Sequence, residues 1–202
     1  MTILLVDDHA LVRAGLKRLL ATLSHEVILE AANGRDALAL IRQERPDLVI
    51  LDLNLPGVGG LELLRRMIHA GAGPILVLSM HGEPLYAKRA LEAGAAGYMT
   101  KNASPDELLI AVRRVTAGGR YVEAELAQAL AAPAAGAPLD QLSARELEIM
   151  RLLASGASLA EIAAAVGVGY KTVANNCAQI KAKLGVTRTA DLVRMAIETG
   201  VS

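Results

Sequence analysis

Five short apolar runs alternate with five amphipathic stretches over the first 120 residues, and this alternation restricts the possible folds more than any other feature. The run Leu48-Val49-Ile50-Leu51 has no polar residue on either face, which is typical of a strand covered by helices on both sides. The predicted strands are 2–6, 26–29, 47–51, 74–78 and 96–99, and the predicted helices are about 9–22, 33–44, 60–69, 84–93 and 104–117. Such an alternation favours an α/β fold with a doubly wound five-stranded parallel sheet.

Composition excludes several classes of protein. The 202 residues carry 21 basic and 21 acidic side chains, so the chain is neither a histone-like polycation nor an acidic tail. The single cysteine, Cys177, excludes a disulfide framework, and we expect it to be a small core residue rather than a redox sensor. The amino terminus is unlike a secretory signal, and no apolar run approaches the ~20 residues that span a bilayer. We therefore expect a soluble, cytoplasmic protein.

The chain changes character after the α/β region. Residues 123–142 are rich in Ala, with Gln and Pro, which predicts a helical extension that runs into a linker. Two capping boxes follow, Ser143 with Glu146 and Ser158 with Glu161, and each indicates the start of a short helix. Two further helices, about 170–184 and 188–199, complete a small all-α domain of four helices with a helix-turn-helix. The predicted domains are 1–122, 123–142 and 143–202.

The neutral total conceals a local excess of basic residues. Residues 143–202 contain 7 basic and 5 acidic side chains, and residues 162–190 contain four basic ones and no acidic one. Such a segment favours a nucleic-acid surface over a merely solvated helix face.

Three aspartates are predicted at one edge of the sheet. Asp7 and Asp8 follow the first predicted strand, and Asp52 follows the third. With the flavodoxin-like strand order 2-1-3-4-5, these two strands flank the crevice in which ligands bind. Grouped carboxylates repel one another and favour a hard divalent cation such as Mg²⁺. Ser79 ends the fourth strand and Lys101 follows the fifth, so the site suits phosphoryl transfer with Asp52 as the nucleophile.

These residues resemble the receiver domain of bacterial two-component response regulators over the whole of residues 1–120. The segments that carry the resemblance are Val6-Asp7-Asp8-His9, Leu51-Asp52-Leu53-Asn54-Leu55-Pro56-Gly57, Leu78-Ser79-Met80-His81 and Gly97-Tyr98-Met99-Thr100-Lys101. One position departs from the family, because Asn102 follows the lysine where many receivers have proline.

The resemblance implies a role for each of these residues. Asp52 would accept phosphate from a histidine kinase, and Lys101 would contact the carboxylate or the phosphoryl group. Mg²⁺ would be bound by Asp8, Asp52 and the backbone carbonyl of Asn54, with Asp7 acting largely through water. Ser79 and Tyr98 would form a switch in which Ser79 bonds the phosphoryl oxygen and Tyr98 moves inward behind it. Apart from the resemblance, the four histidines (His9, His25, His69 and His81) show no metal-ligand spacing, which favours surface or packing roles. His81 lies two residues beyond Ser79, and tuning the lifetime of the phosphoryl group is the alternative role for it.

The last 60 residues resemble the LuxR-type helix-turn-helix of the NarL/FixJ class. The resemblance rests on Leu142-Ser143-Ala-Arg-Glu146, Ala160-Glu161-Ile162-Ala163, Lys171-Thr172-Val173, Ile180 and Lys183-Leu184-Gly185. The recognition helix would begin near Tyr170 and bury Val173, Cys177, Ile180 and Leu184 at helical spacing. Its DNA-contacting residues would be Lys171, Thr172, Asn175, Asn176, Gln179, Lys181 and Lys183.

The sequence is compatible with three functions, which follow in decreasing order of support. The first is a phosphorylation-controlled, DNA-binding transcriptional regulator that dimerises on phosphorylation and is not a dedicated enzyme. The second is a phosphorylation-dependent protein-interaction adaptor, since Gly169, Ala174 and Asn176 stand where the family often has Ser, a basic residue and His. The third is a hydrolase, for which no separate base is evident.

Overall fold

The chain divides into two units in the computed structural model, which describes residues 1–23, 27–56, 59–80, 82–131, 138–199 and 201. The first unit comprises Met1–Leu55 and Gly60–Ala132, and the second includes the residues from Pro133 onward.

Strands and helices alternate along the described part of the first unit. The strands are β1 (Thr2–Val6), β2 (Val27–Ala31), β3 (Leu48–Leu51), β4 (Ile75–Ser79), β5 (Gly97–Thr100) and β6 (Tyr121–Val122). The helices are α1 (Ala10–Leu20), α2 (Gly34–Glu44), α3 (Gly60–His69), α4 (Pro84–Glu92), α5 (Pro105–Thr116) and α6 (Ala124–Ala131).

The six strands form one parallel sheet in the order β2-β1-β3-β4-β5-β6. Every residue of β3 and β4 is buried, which confirms that the central strands are covered on both faces. One large apolar cluster joins residues of β1, β3 and β4 to α5, including Leu5, Ile50, Leu76 and Val112. The predicted doubly wound α/β fold is therefore confirmed.

The strand count differs from the prediction of five, because β6 adds a sixth strand at the edge of the sheet. Tyr121 N donates to Ala96 O at 3.2 Å, and Glu123 N donates to Tyr98 O at 3.3 Å. A strand of two residues is too short to show the alternation by which strands are recognised in a sequence. Its pairing with β5 depends on a contact between distant parts of the chain, which periodicity does not report.

The described part of the second unit is helical. A 3-10 helix (Pro138–Gln141) precedes α7 (Ala144–Ala154), α8 (Leu159–Val166), α9 (Tyr170–Leu184) and α10 (Thr189–Glu198). Gly167 and Gly185 end α8 and α9 with φ angles of 70° and 68°, in the left-handed region that glycine adopts without strain. No helix in the described ranges has the length and apolar character needed to cross a membrane.

Both capping boxes predicted for the second unit are confirmed. Ser143 and Glu146 bond reciprocally at the start of α7, and Ser158 and Glu161 do the same at the start of α8. In each box the serine hydroxyl accepts from a free backbone N–H of the first turn, and the glutamate accepts from the serine N–H.

Gly60 allows α3 to start directly against the segment that follows Asp52. A Cβ at position 60 would overlap the backbone carbonyl oxygen and Cα of Leu53. We predict that Gly60→Ala lowers the free energy of unfolding by about 2 kcal/mol or more, because backbone atoms would have to shift. Gly15→Ala is the matched control, since Gly15 lies in α1 with no atom near its missing Cβ, and it should add about 0.5–1 kcal/mol. Urea unfolding of the two variants measures the difference, and equal effects would contradict the close approach at Gly60.

Candidate phosphoryl-transfer site and DNA-binding helix

The carboxyl ends of four parallel strands bring the polar residues of the first unit together. Val6 of β1 pairs with Leu51 of β3, so Asp7 and Asp52 leave neighbouring strands at the same level. The backbone N–H of Asp52 donates to Val6 O at 2.8 Å. Across the crevice, the backbone N–H of Lys101 donates to Ser79 O, also at 2.8 Å. The sheet itself therefore fixes the backbone at each of these positions.

Lys101 joins the two buried carboxylates. Its Nζ donates to Asp7 Oδ2 at 2.7 Å and to Asp52 Oδ2 at 2.6 Å. The side chains of Asp7 and Asp52 are only 3% and 1% exposed. Burial alone would lower the pKa of Lys101, but the hydrogen bonds and charges of Asp52 and Asp7 raise it above its ordinary value. Lys101 therefore stays a cation at neutral pH.

Backbone donors hold the other oxygens of the same two carboxylates. The His9 N–H donates to Asp7 Oδ1 at 2.8 Å, and the Asn54 N–H donates to Asp52 Oδ1 at 3.0 Å. Each buried carboxylate is thus held at one oxygen by an amide and at the other by Lys101. These charge-assisted bonds offset the cost of burying the two negative groups.

Asp8 and His9 complete an acidic cluster at the mouth of the crevice. Asp7, Asp8, His9 and Asp52 each offer one ligand atom, and these atoms lie within 4.8 Å of one another. Three carboxylates face one lysine ammonium, which leaves an excess of negative charge next to hard oxygen donors. This donor set fits a divalent cation.

Ser79 and Tyr98 lie in the interior of the first unit. Ser79 ends β4 and Tyr98 lies in β5, and both residues are 0% exposed. Burial raises the pKa of the Tyr98 hydroxyl, an effect opposed by its hydrogen bond with Ser79 and reinforced by the charges of Glu83, Asp52 and Glu123. Tyr98 is therefore neutral, in contact with Ser79, and turned inward in this structure.

In the second unit, α8 and α9 form the predicted helix-turn-helix. α9 begins at Tyr170 as predicted, and Val173, Cys177 and Ile180 are buried while Leu184 is half-buried. Burial raises the pKa of the Cys177 thiol, which suits the predicted role as a core residue.

The predicted DNA-contacting residues differ in their exposure. Asn176 and Lys181 are half-buried, whereas the remaining five are exposed: Lys171, Thr172, Asn175, Gln179 and Lys183. Lys171, Asn175 and Gln179 are spaced by four residues, so they share one exposed side of α9.

Lys183 has a partner within the second unit. Its Nζ donates to Glu146 Oε2 at 2.6 Å, joining α9 to the first turn of α7. Glu146 is buried, with its side chain 5% exposed, whereas that of Lys183 is 40% exposed. Arg188 similarly pairs with Asp191 at 3.2 Å. Of the four basic residues counted in 162–190, Lys171 and Lys181 are the two without an ion pair to any residue that the structure describes.

Both units match known families. Residues 3–113 match the response regulator receiver domain, and residues 140–196 match the bacterial regulatory proteins of the luxR family. The chain belongs to the response-regulator family. It is a transcriptional regulator of a two-component system, with a receiver and a LuxR-type DNA-binding domain, rather than a dedicated enzyme.

Relatives of this response regulator match it from end to end. It is 42% identical over 209 residues to the transcriptional activator protein ExaE of Pseudomonas putida, covering 100% of this chain and 98% of ExaE. It is 36% identical over 208 residues to the response regulator UvrY of Escherichia coli K12, covering 100% and 95%. RcsB of Salmonella enterica serovar Typhimurium, bound to promoter rprA in the presence of the phosphomimetic BeF3-, shares the fold with a TM-score of 0.73. That match has 24% identity and covers 96% of this chain and 98% of RcsB.

Three contacts of this response regulator are not evident from its sequence. The sequence favours a surface or packing role for His9, yet its Nδ1 lies 2.8 Å from Asp8 Oδ1. The Glu146–Lys183 pair and the bonds from Thr100 to Glu123 join residues far apart in the chain. Only the position of His9 next to the aspartate pair gives a local signal. His81 lies outside the described residues, as do residues 132–137 of the predicted linker.

The Glu146–Lys183 pair predicts how stability depends on pH. Burial would raise the pKa of Glu146, but hydrogen bonds from Lys183 and Ser143 hold it below its ordinary value. A lowered pKa in the folded state means that the pair's contribution is complete above the ordinary glutamate pKa and is lost as the pH falls through the folded value.

We therefore expect Glu146→Gln to flatten the loss of stability in acid. We expect Lys183→Met to destabilise the protein by about 2 kcal/mol at pH 7, because a buried carboxylate loses its partner. Urea unfolding followed by circular dichroism from pH 7 to pH 3 measures both effects. Glu148→Gln, on the same helix, is the control, and the same acid profile in both glutamine variants would count against the pair.

Proposed function

We propose that this regulator accepts a phosphoryl group on Asp52 from a sensor histidine kinase, and that phosphorylation controls dimerisation and DNA binding. The observation that carries the proposal is Lys101, which donates to both buried carboxylates of the crevice. We assign residues 1–122 to the phosphoacceptor domain, 123–142 to the helical extension and linker, and 143–202 to the DNA-binding domain. The cytoplasmic location stays a prediction.

In the proposed reaction, one oxygen of the Asp52 carboxylate attacks the phosphorus of a phosphohistidine. The new P–O bond forms as the P–N bond breaks, and the electron pair of that bond returns to the imidazole. Lys101 offsets negative charge on the carboxylate and the incoming phosphoryl group, so positioning and charge neutralisation supply most of the catalysis. Later attack by water on the phosphorus would release inorganic phosphate and restore Asp52, which is the one hydrolytic step we assign to this protein.

A magnesium ion fits the acidic cluster. We assign its binding to Asp8, Asp52 and the backbone carbonyl of Asn54, with Asp7 acting through water. Oxygen donors of this kind are those that Mg²⁺ prefers. When bound, Mg²⁺ supplies positive charge next to the phosphoryl oxygens.

Ser79 and Tyr98 are proposed as the switch. The Ser79 hydroxyl would bond a phosphoryl oxygen on Asp52, while Tyr98 keeps the inward position behind it. The buried hydrogen bond between the two hydroxyls supports this pairing, because a movement of the Ser79 hydroxyl directly alters the bond that Tyr98 makes. The phosphoryl charge would shift the population toward the inward arrangement.

For the second domain we propose that α9 enters the major groove of double-stranded DNA. Asn175 and Gln179 present amides suited to adenine, and Lys171 can reach guanine or a phosphate. Thr172, Asn176 and Lys181 complete the proposed face. Lys183 joins this face of α9 when DNA displaces Glu146 as the partner of its ammonium group. With few free cations, binding by one copy should be weak, which favours a dimer on two half-sites.

Phosphorylation of Asp52 is tested with acetyl phosphate and Mg²⁺. We expect intact-mass spectrometry to find one added phosphoryl group on the full chain and none on Asp52→Asn. Asp106→Asn, which changes an exposed aspartate on α5, should be labelled like the natural chain. Labelling of the Asp52→Asn variant at another residue would disprove the assignment of the phosphoacceptor.

DNA binding is tested by selecting genomic fragments with the phosphorylated full chain at moderate salt. We expect one enriched sequence, whose recognition changes in Asn175→Ala and Gln179→Ala but not in the exposed control Gln141→Ala. Lys171→Ala should reduce the slope of log affinity against log salt by about one. Absence of any enriched sequence would instead support the adaptor function.

A further inference from the structure

Lys101 directly follows β5, on the segment that leads to α5, and its Nζ reaches two carboxylates that directly follow β1 and β3. A long, flexible side chain keeps both contacts at once only when its own backbone is held in place. On one side, the backbone N–H of Lys101 is held by Ser79 O of β4. Asn102 follows it, so no proline ring restricts the segment. On the other side, Glu123 holds the segment through hydrogen bonds from Thr100.

The carboxylate of Glu123 accepts two hydrogen bonds from Thr100, the residue that precedes Lys101. Glu123 Oε2 accepts from the backbone N–H of Thr100 at 2.8 Å, and Oε1 accepts from its hydroxyl at 3.4 Å. The backbone N–H of Glu123 donates in turn to Tyr98 O at 3.3 Å. Thr100 is 9% exposed and Glu123 is half-buried, so these bonds are partly shielded from water, and a carboxylate acceptor makes them stronger than neutral ones.

This contact replaces a backbone hydrogen bond that a longer β6 would make with β5. Tyr98 pairs with Val122, where β6 ends, and the chain then turns into α6 at Ala124. The next amide of β5 that faces this edge belongs to Thr100, because alternate residues of a strand donate to opposite neighbours. No backbone carbonyl of β6 lies beyond Val122 to accept from it. The Glu123 side chain supplies that acceptor.

We infer that Glu123 is a positioning residue for phosphoryl transfer: it holds the Met99–Thr100 peptide and the Thr100 hydroxyl, so that the next residue, Lys101, reaches Asp7 and Asp52 together. The inference rests on the proposed function of that site. In this role Glu123 acts on the reaction through Lys101, so its removal should impair the reaction step more than the binding of the phosphodonor or of Mg²⁺.

Three variants separate geometry from charge. Glu123→Ala removes the acceptor, and Glu123→Asp keeps the charge but is one methylene too short to reach Thr100. Glu123→Gln keeps an oxygen that can accept from the Thr100 N–H. Glu125→Ala removes an exposed carboxylate from the first turn of α6 and serves as the control.

With acetyl phosphate and saturating Mg²⁺, we expect Glu123→Ala and Glu123→Asp to lower the maximal rate of Asp52 phosphorylation about tenfold. The donor concentration at half-maximal rate should change less than about twofold. Glu123→Gln should recover most of the rate, and Glu125→Ala should match the natural chain. Unchanged rates in Glu123→Ala would overturn the inference.

A double-mutant cycle asks whether Glu123 acts through Lys101. Glu123→Ala should cause no further loss in a Lys101→Ala background, because the group it positions is absent. A further loss of similar size in that background would mean that Glu123 supports the fold in general, and would overturn the inference.

Nuclear magnetic resonance tests the contact even if the natural chain is not phosphorylated, an outcome that would refute the proposed function alone. In Glu123→Ala the Thr100 amide should exchange with solvent at least about tenfold faster, and the side-chain nitrogen signal of Lys101 should shift toward that of a solvated lysine. Glu123→Gln should show smaller changes in both. A Lys101 signal that is the same in the natural chain and in Glu123→Ala would refute the positioning role.

Discussion

The bridge from Lys101 to Asp7 and Asp52 is the interaction on which the functional site depends. Two carboxylates with less than 4% of their side chains exposed would repel each other and lose hydration if they stood alone. One ammonium group between them makes their burial tolerable, and the backbone amides of His9 and Asn54 satisfy the remaining oxygens. Because the three groups come from β1, β3 and β5, the bridge also ties the strand ends together.

Local patterns explain which parts of this architecture could be predicted from the sequence. Buried parallel strands show as unbroken apolar runs, and helix starts show as capping boxes such as those at Ser143 and Ser158. The strand order then follows from general rules for doubly wound sheets, and it brings Asp7, Asp52 and Lys101 to one edge.

The features that the sequence did not predict are long-range contacts between side chains or short segments. β6 has two residues, and Glu123 and Lys183 find their partners 23 and 37 positions away. None of these leaves a periodic signal, since the partner is chosen by the folded arrangement. Lys183 illustrates the consequence: by composition it counts toward a basic surface, whereas in the structure its charge is matched by Glu146.

The near absence of aromatic residues has a mechanical consequence for Tyr98. The chain has no Phe and no Trp, and Tyr98 is the largest of the fully buried side chains. An outward rotation of its ring would leave a void among aliphatic groups, and empty volume in a close-packed interior costs free energy roughly in proportion to its size. The close packing of the interior therefore favours the inward position of the ring over an outward one. Any state of this regulator with Tyr98 outside has to fill that space or find compensating contacts elsewhere.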